Sequence, residues 1–370
     1  MPAPLRWLML AGHVPPGGAG SGVVRYVVEF TRALDRAEGV EVHVVAAPAA
    51  QQWWCDRLQD PDRVHVARGW ESAKHARRQR RGRGIPVAAS RFDVVHGARH
   101  VLPPATGALR ILTVHDMLPL DREADHKDRE TSRLRSPYLE SIREADLLVC
   151  VSAATQSRML AYVPSARNRS VVIPLAASPS LLTVAPEPVE ALDSGRPFVL
   201  AVGDGSPRKN LSLLLAAWPA VLRAVPDALL VFAGPPGRGR PESNAEMRSA
   251  EARSELVRLG LVTDAHLRWC YENAACVALP SALEGFGLPV VEAQAIGVPL
   301  VVSDDPAVSE AAGGRARVEP SDRPERWAEA LIEQLTGENP RPAPVIDRTW
   351  DDVAAETVAA VRRRGHRELT

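Results

Sequence analysis

Residues 281–304 constrain the fold more than any other stretch, because a glycine-rich turn, a helix start and a strand pattern follow one another there. An apolar run of strand length comes directly before this stretch, and a second one begins at Val298. The turn contains Gly285 and Gly287, and Pro289 stands at a first-turn position of the helix. The pattern predicts one β–α–β step, with its turn at the carboxyl end of the first strand.

This turn has the features of an anion site. The backbone N–H groups of Phe286, Gly287 and Leu288 lie at a helix start, where the aligned peptide dipoles favour a phosphate. Two carboxylates, Glu284 and Glu292, stand on either side of the turn. Since a carboxylate and an anion repel each other, we expect the two acids to hold hydroxyl groups. A sugar nucleotide offers a diphosphate to the amides, and it offers ribose and hexose hydroxyls to the acids.

The spaced pair Glu284 and Glu292, beside Gly-Phe-Gly-Leu-Pro and Glu-Ala, resembles the signature of the family 4 retaining glycosyltransferases of the GT-B architecture. The resemblance extends over nearly the whole chain and is strongest over residues 198–314. It implies an α/β fold of two Rossmann-like, doubly wound parallel-sheet domains with the active site in the cleft between them. It also implies a C-terminal helix that crosses back to the first domain.

The length and composition of the chain agree with two domains. At 370 residues the chain can bury two cores, and its alternating strand and helix patterns are typical of doubly wound parallel sheets. A segment rich in Pro, Ala and Ser follows residue 176. We therefore predict an N-terminal domain over 1–176 with 351–370 returning to it, a linker over 177–197, and a nucleotide-sugar-binding domain over 198–350.

Charge and hydropathy exclude several classes of protein. The 45 basic and 45 acidic residues balance, which argues against a general nucleic-acid binder. The sequence has no segment typical of a signal peptide, and its longest apolar stretch, around residues 211–222, is too short to span a bilayer. We therefore expect a cytoplasmic protein. The cysteines lack the spacing of a metal site, and several lie in apolar strand or helix patterns, so buried free thiols are the favoured interpretation: Cys55, Cys150, Cys270 and Cys276.

The most basic segment is residues 68–83, in which seven basic residues are opposed only by Glu71. A solvated face or a mobile loop is the favoured interpretation, because the apolar side of a helix here would consist of Trp70, Ala73 and Ala76. The alternative comes from the resemblance, since some members of the family place a basic amphipathic helix on anionic lipid. That alternative predicts peripheral contact with the inner face of the membrane.

A glycine-rich loop follows the first strand and precedes a helix, which invites comparison with the dinucleotide-binding fingerprint. The spacing does not fit, because Gly18 and Gly20 are followed by Val23 where a third glycine belongs. The resemblance implies instead that this loop, including Gly20 and Gly22, helps to seat the donor phosphate or the acceptor. A flexible turn remains the alternative.

Two later strands end in histidine, at His96 and at His115. His115 followed by Asp116 matches the His-Asp of the resembled family, which implies that His115 is catalytic and lies near the donor sugar and the scissile bond. An imidazole there can hydrogen-bond a hydroxyl or the departing oxygen. A purely structural cap is the alternative for either histidine, and it is favoured for His96.

The second domain begins with a strand that ends at Gly203, and Arg208 and Lys209 follow it. The resemblance implies that these three residues bind the donor, with Lys209 and Arg208 as the diphosphate clamp. Many members carry a further arginine directly after the glycine, whereas this chain has Asp204, so part of the clamp is missing or replaced. Because no Asp-x-Asp metal motif is suitably placed, we expect neither a metal ion nor another cofactor.

The function implied is transfer of a hexose to a hydroxyl acceptor with retention, in which Glu284 orients the sugar and Glu292 binds the ribose. The motif context is similar to that of mannosyltransferases, so GDP-mannose is the first expectation, with UDP- or dTDP-hexoses as alternatives. The loop over residues 234–241 is expected near the base. The acceptor is left open among saccharides, lipid-linked acceptors and small natural products. Three alternatives to a glycosyltransferase are left open: a sugar-nucleotide epimerase of the same fold, a phosphorylase of the same fold, and a non-catalytic protein that binds a sugar nucleotide.

Overall fold

In the computed structural model the chain divides into two compact units, the first formed by Met1–Leu175 with Arg348–Thr370 and the second by Ala176–Asp347. The structure describes residues 3–18, 20–67, 80–81, 85, 87–121, 129–192, 195–235, 241–337 and 341–367.

The described part of the first unit contains a seven-stranded parallel sheet in the order β3-β2-β1-β4-β5-β6-β7. Both faces of the sheet are covered. Trp7 of the first strand packs against Phe30 of a helix, whereas its neighbour Leu8 lies in an apolar cluster with Phe92 on the other face. The strands are β1 (Leu5–Leu10), β2 (Val40–Ala46), β3 (Val64–Val66), β4 (Val94–Gly97), β5 (Leu109–Val114), β6 (Leu147–Cys150) and β7 (Ser170–Val172).

Helices connect these strands, as parallel neighbours require. They are α1 (Gly22–Arg36), α2 (Gln51–Cys55), α3 (Arg129–Glu144) and α4 (Ala153–Tyr162). The start of α4 is fixed by its sequence, because the side chain of Ser152 accepts a hydrogen bond from the backbone N–H of Thr155 at 2.9 Å. This N-cap satisfies one of the backbone donors that a helix start leaves without a helical partner.

The described part of the second unit contains a six-stranded parallel sheet in the order β10-β9-β8-β11-β12-β13. The apolar residues of its strands alternate between two clusters, so that Leu200 faces one core and Val199 the other. The strands are β8 (Phe198–Val202), β9 (Leu229–Ala233), β10 (Leu256–Gly260), β11 (Cys276–Leu279), β12 (Leu300–Ser303) and β13 (Arg317–Glu319).

Helices on the two faces of this sheet complete the two cores. Trp218 and Trp327 contribute to one core, and Tyr271 and Val290 contribute to the other. The helices are α5 (Pro179–Thr183), α6 (Leu211–Ala224), α7 (Pro241–Ala252), α8 (Asp264–Asn273), α9 (Leu288–Ile296), α10 (Pro306–Ala312) and α11 (Pro324–Thr336). The prediction of two doubly wound parallel sheets is therefore confirmed.

The segment predicted as a linker, residues 177–197, contains α5 and is assigned to the second unit. Leu181 and Leu192 are buried in one core of that unit. Apolar side chains within this proline-rich segment thus contribute to packing.

The last helix, α12 (Trp350–Arg367), belongs to the first unit. Arg36 of α1 pairs with Asp351 at 2.5 Å, and the ring of Trp350 lies 5.8 Å from that of Tyr26. Trp350 is fully buried in this contact. The chain therefore returns to its first unit, as the sequence resemblance implied.

Three further expectations concern the surface and the thiols. No helix in the described ranges is long and apolar enough to cross a membrane. Within the basic segment 68–83, only Arg80 and Arg81 are described, so the expectation of a lipid-binding helix lies outside the described residues. All four cysteines are free, and burial raises the pKa of Cys150, Cys270 and Cys276 to about 12.

Candidate functional site

The candidate site of the second unit lies at the carboxyl edge of its sheet, where β8 and β11 are neighbours. The loop after β8 carries Arg208 and Lys209 in a single helical turn, and the loop after β11 carries Glu284. Because parallel strands end at the same edge, residues separated by about 75 positions meet there. This edge is where ligands commonly bind in open α/β sheets.

The carboxylate of Glu284 is at the centre of this site. The Nζ atom of Lys209 donates to its Oε1 at 2.5 Å, and Nη1 of Arg208 donates to its Oε2 at 2.9 Å. The hydroxyl of Ser281 donates to Oε1 at 2.7 Å. Glu284 and Lys209 are only 6% and 8% exposed, so the pair is shielded from bulk water.

These contacts determine the charge of Glu284. Burial by itself would raise the pKa of the carboxyl group, but the charges of Lys209 and Arg208, with the hydrogen bonds from Lys209 and Ser281, lower the pKa to about 2. Glu284 is therefore ionised at neutral pH in this arrangement. A carboxylate in that state accepts hydrogen bonds from hydroxyl groups and stabilises nearby positive charge, whereas it cannot donate a proton.

Asn210 ties the two loops together. It adopts a left-handed conformation with φ of 52°, and its side-chain amide donates to the carbonyl oxygens of Pro280 at 3.2 Å and Ser321 at 2.8 Å. The backbone N–H of Ala282 donates to the carbonyl of Arg208 at 2.8 Å. Sequence reasoning missed Asn210 and Ser281 as positioning residues, although Asn210 follows directly after the Pro-Arg-Lys motif.

Two glycines allow close packing of the loop that follows β8. Gly203 has φ of +151°, and a Cβ atom there would lie 3.0 Å from Cε of Lys209. Gly234, at the end of the neighbouring strand β9, has φ of +149°, and a Cβ atom would lie 2.0 Å from the carbonyl oxygen of Gly203. Gly203 was predicted as a donor-binding residue, and the structure places it against Lys209. The contribution of Gly234 was not predicted.

The predicted anion-binding turn leads into α9. Gly287 precedes the helix with φ of +100°, and Phe286 and Leu288 on either side of it are buried. Glu292 lies in α9, is 3% exposed and accepts a hydrogen bond from the Tyr271 hydroxyl at 2.9 Å. Its assignment to ribose stays a prediction, as do the donor contacts of the turn.

Asp204 occupies the position where the resembled family often has arginine. Its Oδ1 accepts from the hydroxyl of Ser206 at 2.5 Å and from the backbone N–H of Ser206 at 3.2 Å. Its Oδ2 lies 4.0 Å from Nη2 of Arg208. The additional cation is thus replaced by a carboxylate that faces Arg208.

In the first unit, His115 follows β5 and is almost completely buried. Its Nε2 donates to the carbonyl oxygen of Ala98 at 3.1 Å, which leaves Nδ1 as the acceptor of the neutral ring. Burial lowers the pKa of His115 to about 4, and the ring packs edge-on against Tyr26 at 4.7 Å. A neutral imidazole with one acceptor nitrogen is suited to binding a hydroxyl group.

His96 has a different environment. It is fully buried in β4, and its Nε2 is hydrogen bonded to the hydroxyl of Thr113 at 2.7 Å. The Thr113 hydroxyl is in turn 2.8 Å from the Tyr26 hydroxyl. Burial lowers the pKa of His96 to about 3. This chain of buried hydrogen bonds supports the structural interpretation that the sequence favoured for His96.

Other candidates in the first unit are a loop and two histidines. Gly20 and Gly22 are exposed at the start of α1. His13 and His100, which sequence reasoning did not single out, have lowered pKa values because of burial and the nearby charge of Arg99. Among the described residues, no three His, Cys, Asp or Glu side chains cluster in a way that could hold a metal ion. The expectation of metal independence stays a prediction.

Two family models match the chain one after the other. Glycosyltransferase Family 4 matches residues 20–180, and Glycosyl transferases group 1 matches residues 187–345. The first match falls largely within the first unit, and the second falls within the second unit, which contains Lys209 and Glu284.

Curated relatives include two mannosyltransferases. The serotype-specific mannosyltransferase WbdA of Escherichia coli is 28% identical over 74% of this chain and 37% of its own length. The MMP alpha-(1->4)-mannosyltransferase of Mycolicibacterium hassiacum is 30% identical over 74% of this chain and 71% of its own length. The chain thus spans little more than a third of the length of WbdA.

Among solved structures, Anabaena Alr3699/HepE in complex with UDP and glucose matches with a TM-score of 0.65. The match covers 99% of this chain and 98% of that chain at 15% sequence identity. At this identity the similarity shows the fold alone, and it agrees with the two doubly wound sheets described above.

Proposed function

Because the chain belongs to the family 4 glycosyltransferases and has their GT-B fold, we propose that it transfers a hexose from a nucleotide sugar to a hydroxyl acceptor with retention of anomeric configuration. The observation that carries the proposal is the contact of Glu284 with both Lys209 and Arg208 at the carboxyl edge of the second sheet. In this proposal the two cations bind the leaving diphosphate and the neighbouring carboxylate holds sugar hydroxyls.

Lys209 and Arg208 are the proposed diphosphate ligands. Negative charge develops on the leaving nucleoside diphosphate as the glycosidic bond breaks, and donors already in place stabilise it. Charge-assisted hydrogen bonds of this kind are worth roughly 1.5–3 kcal/mol each. The turn formed by Phe286, Gly287 and Leu288 at the start of α9 is proposed to add backbone N–H groups. The proposal includes no metal ion and no other cofactor.

Glu284 has two proposed tasks. Before the donor binds, it neutralises Lys209 and Arg208 within a shielded pocket. A diphosphate competes for the same two cations, so that the Glu284 carboxylate becomes available to sugar hydroxyls and to the positive charge that develops at the anomeric carbon. The low pKa of Glu284 in the ligand-free arrangement supports the first task, because the carboxylate is ionised at neutral pH when the donor arrives.

Roles for the remaining candidates follow from their chemistry. We assign His115 to a hydroxyl of the sugar or to the departing oxygen, through its acceptor Nδ1. Glu292 is proposed to bind the ribose, Gly203 to make room for Lys209, and the loop with Gly20 and Gly22 to contact the donor phosphate or the acceptor.

The donor proposed first is GDP-mannose, because WbdA and the M. hassiacum relative are named as mannosyltransferases. UDP- or dTDP-hexoses are the second choice, and the presence of UDP and glucose in the Anabaena structure supports keeping UDP donors in the tests. The acceptor is proposed to be a saccharide, a lipid-linked acceptor or a small natural product.

The proposal is tested by thermal unfolding and donor hydrolysis with GDP-mannose, UDP-glucose and dTDP-glucose. We expect the sugar nucleotide with one of the three bases to raise the melting temperature. We also expect the protein to hydrolyse that sugar nucleotide slowly. Lys209→Met is expected to lower the hydrolysis rate about 10²–10³-fold, because it removes a donor to the leaving group. Arg223→Met is the matched control, since Arg223 is an exposed cation at the end of α6.

Two results would contradict the proposal. One is the absence of any melting shift with GDP, UDP or dTDP at millimolar concentration. The other is that the protein binds a sugar nucleotide and converts its sugar to an epimer that stays attached to the nucleotide, which would indicate an epimerase.

A further inference from the structure

Asp204 is held in a defined orientation at the edge of the nucleotide site. It follows Gly203 at the end of β8, and both the hydroxyl and the backbone N–H of Ser206 donate to its Oδ1. Its other oxygen, Oδ2, is directed towards Arg208, with 4.0 Å between Oδ2 and Nη2. The side chain is 37% exposed, so a ligand that approaches Arg208 also meets this carboxylate.

The charges around Arg208 and Lys209 therefore cancel. Arg208 lies between two acids, with Glu284 at 2.9 Å and Asp204 at 4.0 Å, and Lys209 is paired with Glu284 at 2.5 Å. These two cations and two carboxylates sum to zero. An incoming diphosphate releases Glu284 from the cations but does not remove the charge of Asp204.

We propose that Asp204 is a specificity-determining residue that weakens binding of the free nucleoside diphosphate more than binding of the sugar nucleotide. The inference rests on the proposed function, in which Arg208 and Lys209 hold the diphosphate. A free nucleoside diphosphate carries about one more negative charge at neutral pH than the sugar nucleotide, because its terminal phosphate ionises a second time near pH 6. Asp204 thus favours release of the product and limits product inhibition.

The size of the effect follows from Coulomb's law. A carboxylate and a phosphate charge about 7 Å apart, at an effective dielectric constant of about 60, change the binding constant roughly threefold to fivefold. Removing the charge of Asp204 should therefore tighten binding of both ligands, and it should tighten binding of the free diphosphate about threefold to fivefold more than binding of the sugar nucleotide.

The experiment is calorimetric titration of wild-type protein and Asp204→Asn, which keeps an acceptor for Ser206 and removes the charge. Two ligand series are used: guanosine, GMP, GDP and GDP-mannose, and uridine, UMP, UDP and UDP-glucose. In the series that the wild type binds, we expect no gain for the nucleoside and the largest gain for the diphosphate. The gain should shrink several-fold in 0.5 M NaCl, because salt screens exposed charges.

Asp347→Asn is the matched control. Asp347 forms an exposed pair with Arg315 at 2.6 Å just before β13, at the amino edge of the same sheet. Its removal should leave every titration unchanged. Asp204→Ser, a second neutral variant, should reproduce the order of gains found with Asp204→Asn.

The outcomes separate this inference from the proposed function. If the wild type binds GDP or UDP and Asp204→Asn binds the diphosphate with equal or lower affinity, the inference on Asp204 is wrong and the proposed function stands. An equal gain for the nucleoside and the diphosphate also overturns it, since a charge effect must follow ligand charge. If the wild type binds none of these nucleotides, both fail.

Discussion

At the carboxyl edge of the sheet in the second unit, Lys209, Arg208 and Glu284 are charged and paired, whereas the corresponding edge of the first unit holds histidines that burial keeps neutral. The pKa of Glu284 is lowered to about 2, so the carboxylate stays charged at neutral pH. The pKa values of His96 and His115 are lowered to about 3 and about 4, so these imidazoles stay uncharged.

The two edges differ in how the lost hydration of their buried polar groups is compensated. A buried charge is tolerated only when opposite charges and hydrogen bonds compensate its lost hydration, and Glu284 has both. A neutral imidazole needs fewer partners, and one hydrogen bond to Thr113 or Ala98 satisfies one of its nitrogens. The edge of the second unit thus holds compensated charges, whereas the edge of the first holds neutral hydrogen-bonding groups.

The largest expected effect comes from breaking the charged edge with Glu284→Gln. This change leaves Lys209 and Arg208 close together without their shared carboxylate, and breaking a buried ion pair typically costs about 3–5 kcal/mol. We expect the free energy of unfolding of the second unit to fall by about that amount, measured by hydrogen exchange at the amides of β8 and β11. Inorganic pyrophosphate should stabilise this variant more than the wild type, because it supplies the missing negative charge.

Glu319→Gln is the matched control for this prediction. Glu319 is equally buried in β13 and also pairs with two arginines, Arg317 at 2.8 Å and Arg326 at 3.2 Å. Those guanidinium groups are more exposed than Lys209, so water can hydrate them after the change. We expect a smaller cost and no added effect of pyrophosphate. If the two variants lose equal free energies of unfolding, the shielding of Lys209 from water adds nothing to the cost of removing its carboxylate partner.

An intermediate effect is expected from the neutral edge, with Thr113→Val. Valine has nearly the shape of threonine but leaves both the His96 ring nitrogen and the Tyr26 hydroxyl without their shared partner. Buried polar groups without partners cost about 1–3 kcal/mol each, and two such groups are left here, so we expect a loss of at least roughly 2 kcal/mol of stability in the first unit.

Hydrogen exchange at the amides of β4 and β5 measures this loss. Thr113→Ser keeps the hydroxyl and serves as the control, with only the small cost of a missing methyl group. A serine variant as unstable as the valine variant would show that packing, not the hydrogen-bond chain, determines the effect.

Much of the fold could be predicted from the sequence, because it rests on local patterns. Apolar runs separated by glycine-rich turns predicted both parallel sheets, and the pattern around Gly287 predicted the turn and helix that the structure shows. The returning helix α12 was implied by family resemblance, and its contact between Trp350 and Tyr26 depends on a separation in sequence that no periodicity encodes.

The site was less predictable, because its contacts are tertiary. Glu284 and Lys209 were both selected from their motifs, but the ion pair between them is a consequence of the neighbouring positions of β8 and β11. Asn210 and Gly234 were missed for the same reason, since each acts on a loop remote in sequence. Ser281 was missed although its contact with Glu284 is local.

The smallest expected effect separates the two edges by their response to acid. The unfolded chain protonates His96 below about pH 6.5, whereas the folded chain does so only near pH 3. Between these values protonation favours the unfolded chain, so the first unit loses stability as the pH falls. Glu284 behaves differently, because its contribution is complete above about pH 4.5 and is lost only towards pH 2. From pH 7 to pH 5.5, His96 should therefore cost the first unit about 1 kcal/mol, while Glu284 changes nothing.

Hydrogen exchange at pH 7 and pH 5.5, corrected for intrinsic rates, tests this difference at β4 and β5. His96→Gln retains a hydrogen-bonding group towards Thr113 and cannot titrate, so we expect its loss of stability over this interval to be about 1 kcal/mol smaller than that of the wild type. His266→Gln alters a histidine of α8, which belongs to the second unit, and should leave the loss at β4 and β5 unchanged. Identical losses for the wild type and His96→Gln would mean that His96 is not held neutral, and the contrast between a charged and a neutral edge would then rest on His115 alone.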